Sequence, residues 1–229
     1  MAQLVEDTRG KIRDLPIADS LRALLLAAAD SAGVDVVRVT SGGQAKLGTP
    51  GKRTGSTRHD LGNAADLRLE KDGRALSFSV PGELSAFEEF VTAATAAGAT
   101  GIGAGVDYMG QLTIHVGFGA EAYWGGGGKA ANAPSWLRRA VLAGRAQRDG
   151  RPPPAPAPAS GPGDYIVLAR SGLRLRSGPG TTFESRAVLA RGTRLRAVID
   201  DSAPNWARVD LERDGLFDGY VFAAYIGPA

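Results

Sequence analysis

The chain has 229 residues, of which 43% are hydrophobic, and it contains no cysteine. This composition excludes wholesale disorder, a disulfide framework and a thiolate metal site, and the length allows one large or two small domains. The net charge is +3 and the sequence pI is about 9.4. No stripe of basic residues interleaved with aromatic residues accompanies this charge, so we expect no nucleic-acid partner.

The N-terminus does not predict a secretory signal, because residues 1–7 are acidic and precede no apolar stretch. The most apolar run, residues 21–29, is too short to span a bilayer and contains Arg22. We therefore expect no membrane span. We expect a protein that is made in the cytoplasm and that needs another system to deliver it if it acts outside.

Apolar periodicity predicts an α+β domain over residues 1–147. A helix is predicted at 21–29 after a cap at Asp19 or Ser20, and further helices are predicted at 82–97 and from 134 onward. Strands are predicted at 34–40, 64–69 and 112–118, and the Gly- and Lys-rich residues 44–58 read as a surface loop. We expect the strands to form a small antiparallel sheet covered by the helices.

A Pro/Ala-rich segment at 148–163 predicts an extended linker. Beyond it, residues 164–229 contain six short strand-like runs at regular spacing, joined by turns with Pro-Gly and Asp-Gly pairs. This pattern is typical of a small all-β barrel.

The two histidines of the chain fall in two distinctive settings. His59 opens the segment His-Asp-Leu-Gly-Asn-Ala-Ala-Asp, and His115 lies on the polar face of the predicted strand 112–118. Asp66 ends that segment, inside a strand otherwise made of Ala and Leu, where burying a carboxylate is costly unless it is paired or binds a metal. Two imidazoles and one carboxylate form a sufficient ligand set for a catalytic zinc, with a fourth position left for water.

Each of these residues also has an ordinary alternative role. His59 can be a loop histidine, and Asp66 can pair with Arg58 or Arg68. His115 can be a polar residue of an edge strand. The occurrence of all three together favours the metal site.

The segment 59–66 resembles the His-x-x-Gly-x-Ala-x-Asp signature of the zinc D-alanyl-D-alanine carboxypeptidase and L,D-endopeptidase family. This family includes vancomycin-resistance dipeptidases and phage endolysins, and it shares its fold with the hedgehog signalling domain. The segment Val39–Gln44 looks like the family's strand followed by Ser-Gly-Tyr-Arg, and Ile114-His115-Val116 looks like the strand of its third ligand. The resemblance implies that His59, Asp66 and His115 bind Zn²⁺ and that a stem-peptide amide of peptidoglycan is cleaved.

Two departures from the family pattern bear on catalysis. The general base of the family usually lies three residues before the last histidine, where this chain has Leu112, and some relatives carry Asp at the position of Gly117. We take Asp107 and Glu121 as the candidates to replace that base.

The second departure concerns substrate binding, because Gln44 stands where the family carries a substrate-clamping arginine. Arg53 and Arg58 flank the predicted site in sequence and can hold a peptide carboxylate through paired hydrogen bonds. Alternatively, Arg53 and Arg58 are ordinary loop residues whose side chains are solvated.

Residues 164–227 resemble bacterial Src-homology-3-like domains. Leu173–Thr181 is similar to the family's Asn-Val-Arg-Ser-Gly-Pro-Gly-Thr, and the segments around Trp206 and 219–226 match its Trp-x-x-Val and Gly-Trp-Val-x-x-x-Tyr-Leu. Trp206 is expected to anchor the barrel core. Such modules commonly tether hydrolases to cell-wall peptides, so the resemblance implies peptidoglycan as a partner.

Two functional hypotheses follow. In the first, the protein is a zinc metallopeptidase that hydrolyses peptidoglycan, encoded by a phage or prophage, and acts after release by a lysis system or as part of a virion. In the second, it is a non-catalytic wall-binding or virion structural protein that keeps the zinc fold. The three ligands favour the first, and the absence of an acid at positions 112 and 117 favours the second.

Overall fold

The computed structural model describes residues 1–80, 82–106, 108–151, 163–200 and 203–229. In this part of the chain the α-helices are α1 (Asp19–Ser31), α2 (Leu84–Ala96) and α3 (Ser135–Arg148). The strands before the Pro/Ala-rich segment are β1 (Gln3–Glu6), β2 (Val36–Ser41), β3 (Ala64–Lys71), β4 (Arg74–Ala75), β5 (Gly101–Gly105), β6 (Gly110–Gly117) and β7 (Ala122–Trp124). The strands after it are β8 (Gly163–Val167), β9 (Leu173–Arg176), β10 (Ser185–Leu189), β11 (Arg194–Asp200), β12 (Ala203–Asp210), β13 (Gly219–Phe222) and β14 (Ile226–Pro228).

The first sheet has the strand order β1-β2-β3-β6-β5-β7, with β4 paired to β3. Its central pairs are antiparallel, but β1 runs parallel to β2 and β7 runs parallel to β5. The prediction of a purely antiparallel sheet is therefore wrong at both edges. The two edge strands have four and three residues, which is too short for a period-2 pattern to be recognised.

The strand β3 shows how the sequence pattern sets the two faces of this sheet. Leu67 and Leu69 are fully buried in the core, whereas Asp66 and Arg68 point to the opposite face, as predicted. The three helices pack on the apolar face through α1–α2 and α2–α3 contacts. The polar face of β3 and β6 is thereby left for a site.

The start of α1 differs from the prediction. Ala18 occupies the N-cap position and makes no side-chain cap hydrogen bond, and Asp19 lies in the first turn. A carboxylate in the first turn still stabilises the helix, because it meets the positive end of the helix dipole.

The glycine-rich strand β5 was not predicted, since three of its five residues are glycines that the sequence presents as a loop signal. All five residues are buried. A Cβ atom at Gly103 would lie 2.5 Å from the indole nitrogen of Trp124. The missing side chain at Gly103 thus lets Trp124 approach the strand closely.

The second sheet is built from β8–β14 in the order β10-β9-β13-β12-β11-β8-β14, and all of its pairs are antiparallel. All six predicted strand runs are present, and β14 is an additional one. An apolar cluster that includes Leu173, Leu175, Leu195, Val209 and Val221 fills its interior. The C-terminal region is therefore all-β.

Trp206 belongs to a different cluster from this barrel interior. Trp206, Phe222 and Ala224 are buried in one apolar cluster with residues of the first sheet and its helices. Ser135 at the start of α3 donates a hydrogen bond to the carbonyl of Ala223 at 3.4 Å. The expectation that Trp206 anchors the barrel core is wrong: this side chain is buried at the contact between the two units, which we call the seam.

Candidate metal centre

The pairing of β3 with β6 brings two of the three predicted ligands together. Asp66 and His115 are directly opposed in this antiparallel pair, on the face that points away from the core. His59 is the last residue of a short 3-10 turn, Thr57–His59. The Ser56 hydroxyl caps the start of this turn by accepting a hydrogen bond from Arg58 N. Residues that are far apart in sequence therefore meet because strand register and a capped turn fix them.

The three side chains converge on one carboxylate oxygen. Asp66 Oδ1 lies 2.8 Å from His115 Nδ1 and 3.5 Å from His59 Nε2. The potential ligand atoms all lie within 4.8 Å of one another. The two imidazole rings meet edge to face with their centroids 4.9 Å apart, and they are 1% and 4% exposed for His59 and His115.

A second hydrogen bond fixes the tautomer of His59. Its Nδ1 lies 2.8 Å from the carbonyl oxygen of Gly42. A carbonyl can only accept, so Nδ1 carries the proton and Nε2 presents a lone pair toward Asp66. This arrangement, with the outer ring nitrogen bound to a backbone carbonyl, is typical of metal-ligating histidines.

The electrostatics of the group favour an anionic Asp66 beside a neutral His115. Burial lowers the pKa of His115, although the Asp66 carboxylate opposes that effect. Burial also opposes the ionisation of Asp66, but the hydrogen bond from His115 is the largest effect in the opposite direction, and the pKa of Asp66 lies well below its ordinary value. Neutral imidazoles and an ionised carboxylate are the protonation states that metal binding requires.

The chemistry of this donor set fits a metal ion. His115 Nε2 is buried without a hydrogen-bond partner in the part of the chain that the structure describes, and an orphaned buried polar atom is costly in a site with no further function. Two ring nitrogens and one carboxylate oxygen suit zinc and related divalent metals. The buried group His59, Asp66 and His115 can therefore hold a metal ion.

The group lines an open cleft with a volume of about 320 Å³. Besides the three candidate ligands, its lining includes Arg13, Arg58, Tyr108 and Trp124. The indole of Trp124 lies 5.0 Å from the His115 ring and 4.9 Å from the Arg58 guanidinium. The cleft thus combines two cations and two aromatic side chains beside the candidate ligands.

The two arginines proposed from sequence occupy different places. Arg58 lines the cleft, but its terminal nitrogens donate to the carbonyls of Phe118 at 3.2 Å and Ala120 at 2.8 Å, so it is not a solvated loop residue. Arg53 pairs with Asp60 at 3.2 Å and is absent from the described lining of the cleft.

The candidate bases are not brought to the site in the described part of the chain. Glu121 is 46% exposed and pairs with Arg148 at 2.5 Å and Arg145 at 3.7 Å on α3. Asp107 lies outside the described residues. Among the described residues, Asp66 is the single carboxylate that lines the cleft.

Arg13 is the site residue that sequence reasoning missed. Its guanidinium contacts Asp66 Oδ2 at 3.4 Å, and the carbonyl of Arg13 accepts a hydrogen bond from Gly42 N at 3.0 Å. Arg13 lies in an irregular connection between β1 and α1. No motif or periodicity in that connection indicates a role, because its link to the site depends on a backbone contact with residue 42.

None of the helices in the described part of the chain is both long and apolar enough to cross a membrane.

No curated protein and no solved structure shows a significant match to the chain. The family model described as bacterial SH3 domain matches residues 171–227. That range covers β9–β14, the greater part of the second sheet. Residues 171–227 are therefore a bacterial SH3 domain.

Proposed function

We propose that this protein is a zinc-dependent hydrolase of peptidoglycan stem peptides, which its bacterial SH3 domain directs to the cell wall. The observation that carries the proposal is the buried group His59, Asp66 and His115, which lines an open cleft. The bacterial SH3 domain supports the cell-wall role, because such domains commonly bind cell walls.

Two of the three ligands have a defined binding atom in this proposal. His59 would bind through Nε2, held in place by Gly42, and Asp66 would bind through Oδ1. Held by His59, Asp66 and His115, zinc would supply Lewis-acid polarisation of the substrate carbonyl and activation of the attacking water. Tyr108, on the cleft wall, can donate a hydrogen bond to the substrate.

The general base of this proposal is Asp107. Asp107 is adjacent in sequence to Tyr108, which lines the cleft, and it stays the sequence-based candidate. A general base contributes about 10²–10⁴ to a rate. We therefore expect Asp107→Asn to reduce hydrolysis by about that factor with zinc content unchanged.

The second candidate function is a wall-binding or virion structural protein without hydrolytic activity. It is favoured by the absence of a second carboxylate from the described cleft lining and by the engagement of Glu121 with α3. In this alternative the metal would stabilise the fold by cross-linking β3, β6 and the His59 turn.

The decisive experiment compares zinc-loaded protein with the His115→Ala variant on purified peptidoglycan. We expect the parent alone to release stem-peptide fragments, which mass spectrometry would identify together with the bond that is cut. Zinc content measured on both proteins would show whether the variant has lost the metal. A parent that binds zinc and sediments with the wall, yet releases no fragments, would exclude the hydrolase and support the structural protein.

A further inference from the structure

Two exposed leucines, Leu15 and Leu61, lie at the same place on the first unit although they come from different segments. They are 47% and 62% exposed. Leu15 pairs with Gly43 in an isolated antiparallel bridge, and Leu61 N donates to the carbonyl of the next residue, Gln44, at 3.0 Å. The fully buried Gln44 side chain fills the inner side of this backbone. The two leucines are therefore left on its outer side.

A third exposed leucine, Leu47, adjoins these two. Its N–H group donates to Asp60 Oδ2 at 2.9 Å, which fixes residue 47 beside the residue that precedes Leu61. The Leu47 side chain is 61% exposed. Leu15, Leu47 and Leu61 together form an aliphatic surface that we call the leucine patch. Single exposed leucines are ordinary on proteins, whereas apolar side chains gathered on converging segments indicate an interaction surface.

The backbone conformation of Leu61 is energetically costly. Its φ is 57°, in the left-handed region, where the Cβ atom of any residue other than glycine is crowded. A hydrogen bond from Gly62 N to the His59 carbonyl at 3.2 Å closes this turn, so the backbone cannot relax without opening it. The exposed side chain buries little apolar surface in return. Strain of this kind at an exposed apolar residue points to a function outside the fold itself.

The exposed charges beside the leucine patch are positive. Lys46 and Lys52 flank Leu47 in its loop, and both side chains are exposed. Lys52 approaches Asp14 at 3.5 Å, and Asp14 is the only acidic residue within residues 9–16 and 46–52. The exposed basic residues of these two segments are Arg9, Lys11, Lys46 and Lys52. The surroundings of the patch therefore favour an anionic partner.

The combination of leucine and lysine fits an anionic lipid surface better than it fits a protein. The centres of protein interfaces are enriched in aromatic residues, methionine and arginine, and they are depleted in lysine. Residues 9–16 and 46–52 contain no aromatic residue and no methionine. A lipid surface instead accepts aliphatic side chains at the boundary of its acyl chains, and its anionic headgroups attract lysines.

We propose that the leucine patch docks this protein on an anionic lipid surface. The three leucines enter the headgroup region, and Lys46 and Lys52 face the headgroups. The contact is peripheral, and it requires neither a bound metal nor hydrolysis, so it stands apart from the proposed function. Leu61 follows His59 by two residues, so docking would bring the candidate metal centre close to the lipid surface.

The first test measures binding of the full chain to two kinds of vesicle by sedimentation. One kind contains phosphatidylglycerol and phosphatidylcholine in equal parts, and the other contains phosphatidylcholine alone. The measurement is made at low ionic strength, where surface charges are weakly screened. We expect binding to the mixed vesicles to be at least about 10-fold tighter, because each lysine near an anionic surface contributes about a factor of five.

Two variants remove apolar side chains from the patch. Leu47→Asn and Leu61→Asn should each weaken binding to the mixed vesicles about 10-fold. Asparagine tolerates the left-handed region better than leucine does, so we expect Leu61→Asn to be at least as stable to heat as the parent. Its loss of binding therefore cannot reflect unfolding. Leu216→Asn is the matched control, because Leu216 is 70% exposed on the C-terminal domain, and this variant should bind like the parent.

A second measurement detects insertion directly. The chain has no cysteine, so a single introduced thiol can carry a dye whose emission depends on the polarity of its surroundings. The dye is attached separately to Leu47→Cys, Leu61→Cys and the control Leu216→Cys. We expect the mixed vesicles to shift its emission to the blue at positions 47 and 61 and to leave it unchanged at position 216.

Three outcomes would overturn the proposal. A parent that does not bind the mixed vesicles has no lipid surface as its partner. Equal binding of the parent and both asparagine variants would assign the attraction to charge alone. Unchanged dye emission at positions 47 and 61, in protein that sediments with the vesicles, would place the lipid contact on another surface.

Discussion

At the scale of single residues, the surroundings of the cleft are organised by Gln44, whose buried amide both donates and accepts hydrogen bonds. Gln44 stands where the resembling family has an arginine, which suggests at first a lost function. In the structure its amide joins Asp60 to Arg13, and the hydrogen bond from Gln44 holds the pKa of Asp60 below its ordinary value. A buried amide that both donates and accepts can bridge a carboxylate and a guanidinium, which no charged residue can do.

Arg58 permits a prediction at this scale. Replacement by lysine keeps the charge but loses the forked geometry that reaches the carbonyls of Phe118 and Ala120 together. We expect Arg58→Lys to lower the free energy of unfolding by about 1.5–3 kcal/mol, as measured by denaturant titration. The exposed Arg68, replaced in the same way, serves as the control. Equal stability of the two variants would contradict the structural role of Arg58.

At the scale of elements, the glycines of β5 decide how closely aromatic and cationic groups approach the sheet. Gly101 leaves space for Arg58, and Gly103 leaves space for Trp124, which in turn covers His115. Because Gly101 and Gly103 have no side chains, Arg58 and Trp124 can lie beside strand β5 and form part of the cleft.

Gly103→Ala tests this role of the strand. The added methyl group would lie 2.5 Å from Trp124 Nε1, so the indole must move. We expect a loss of about 1–3 kcal/mol in the free energy of unfolding, a changed tryptophan fluorescence and weaker zinc binding. Gly82→Ala is the matched control, because its added methyl group meets nothing within 4 Å. Unchanged fluorescence and zinc affinity in Gly103→Ala would show that Trp124 does not depend on this space.

The contact between α2 and α3 permits a pH prediction. Burial raises the pKa of Glu88, although Arg139, which donates to it at 2.7 Å, opposes that effect. A raised carboxyl pKa means that the folded state holds the proton more tightly than the unfolded state. The stabilisation from Glu88 is therefore present below its ordinary pKa and is lost as the pH rises through the folded value.

We accordingly expect Glu88→Gln to be more stable than the parent at pH 7 and equal to it near pH 4. The measurement is urea unfolding at both pH values, with Glu212→Gln, an exposed glutamate of the C-terminal domain, as the control. A variant that is less stable than the parent at pH 7 would show that the ion pair with Arg139 outweighs the cost of burying the charge.

At the scale of the whole molecule, the bacterial SH3 domain packs on the first unit through one face of β12 and β13. Phe222 belongs to the apolar cluster of the first unit, whereas its neighbour Val221 belongs to the interior of the barrel. Adjacent residues of one strand thus stabilise two different contacts, because successive side chains of a strand point to opposite faces.

Phe222→Ala should therefore weaken the seam more than the barrel. We expect the two units to unfold in more widely separated calorimetric transitions and the radius of gyration, from small-angle scattering, to increase. Removing a buried phenylalanine costs about 3–5 kcal/mol. Val221→Ala, on the opposite face, should lower the barrel transition and leave the radius of gyration unchanged. The same radius of gyration in both variants would contradict the seam.

The resemblance of segments 59–66 and 114–116 to a zinc peptidase family predicted that His59, Asp66 and His115 meet. The sequence by itself determined the elements with clear periodicity and the all-β C-terminal region. Local spacing and alternation suffice for these, because a residue's place on a strand fixes the face that it shares with its neighbours. The tertiary structure alone decided that β5 is a strand, that Trp206 belongs to the seam and that Arg13 enters the cleft. Each of these depends on contacts between residues distant in the chain, and a pattern of neighbouring residues carries no information about such contacts. The role of the glycines of β5 is visible only in the structure, where Trp124 lies close to them. The role of Arg13 is likewise visible only there, where contacts with Gly42 and Gln44 hold it beside Asp66.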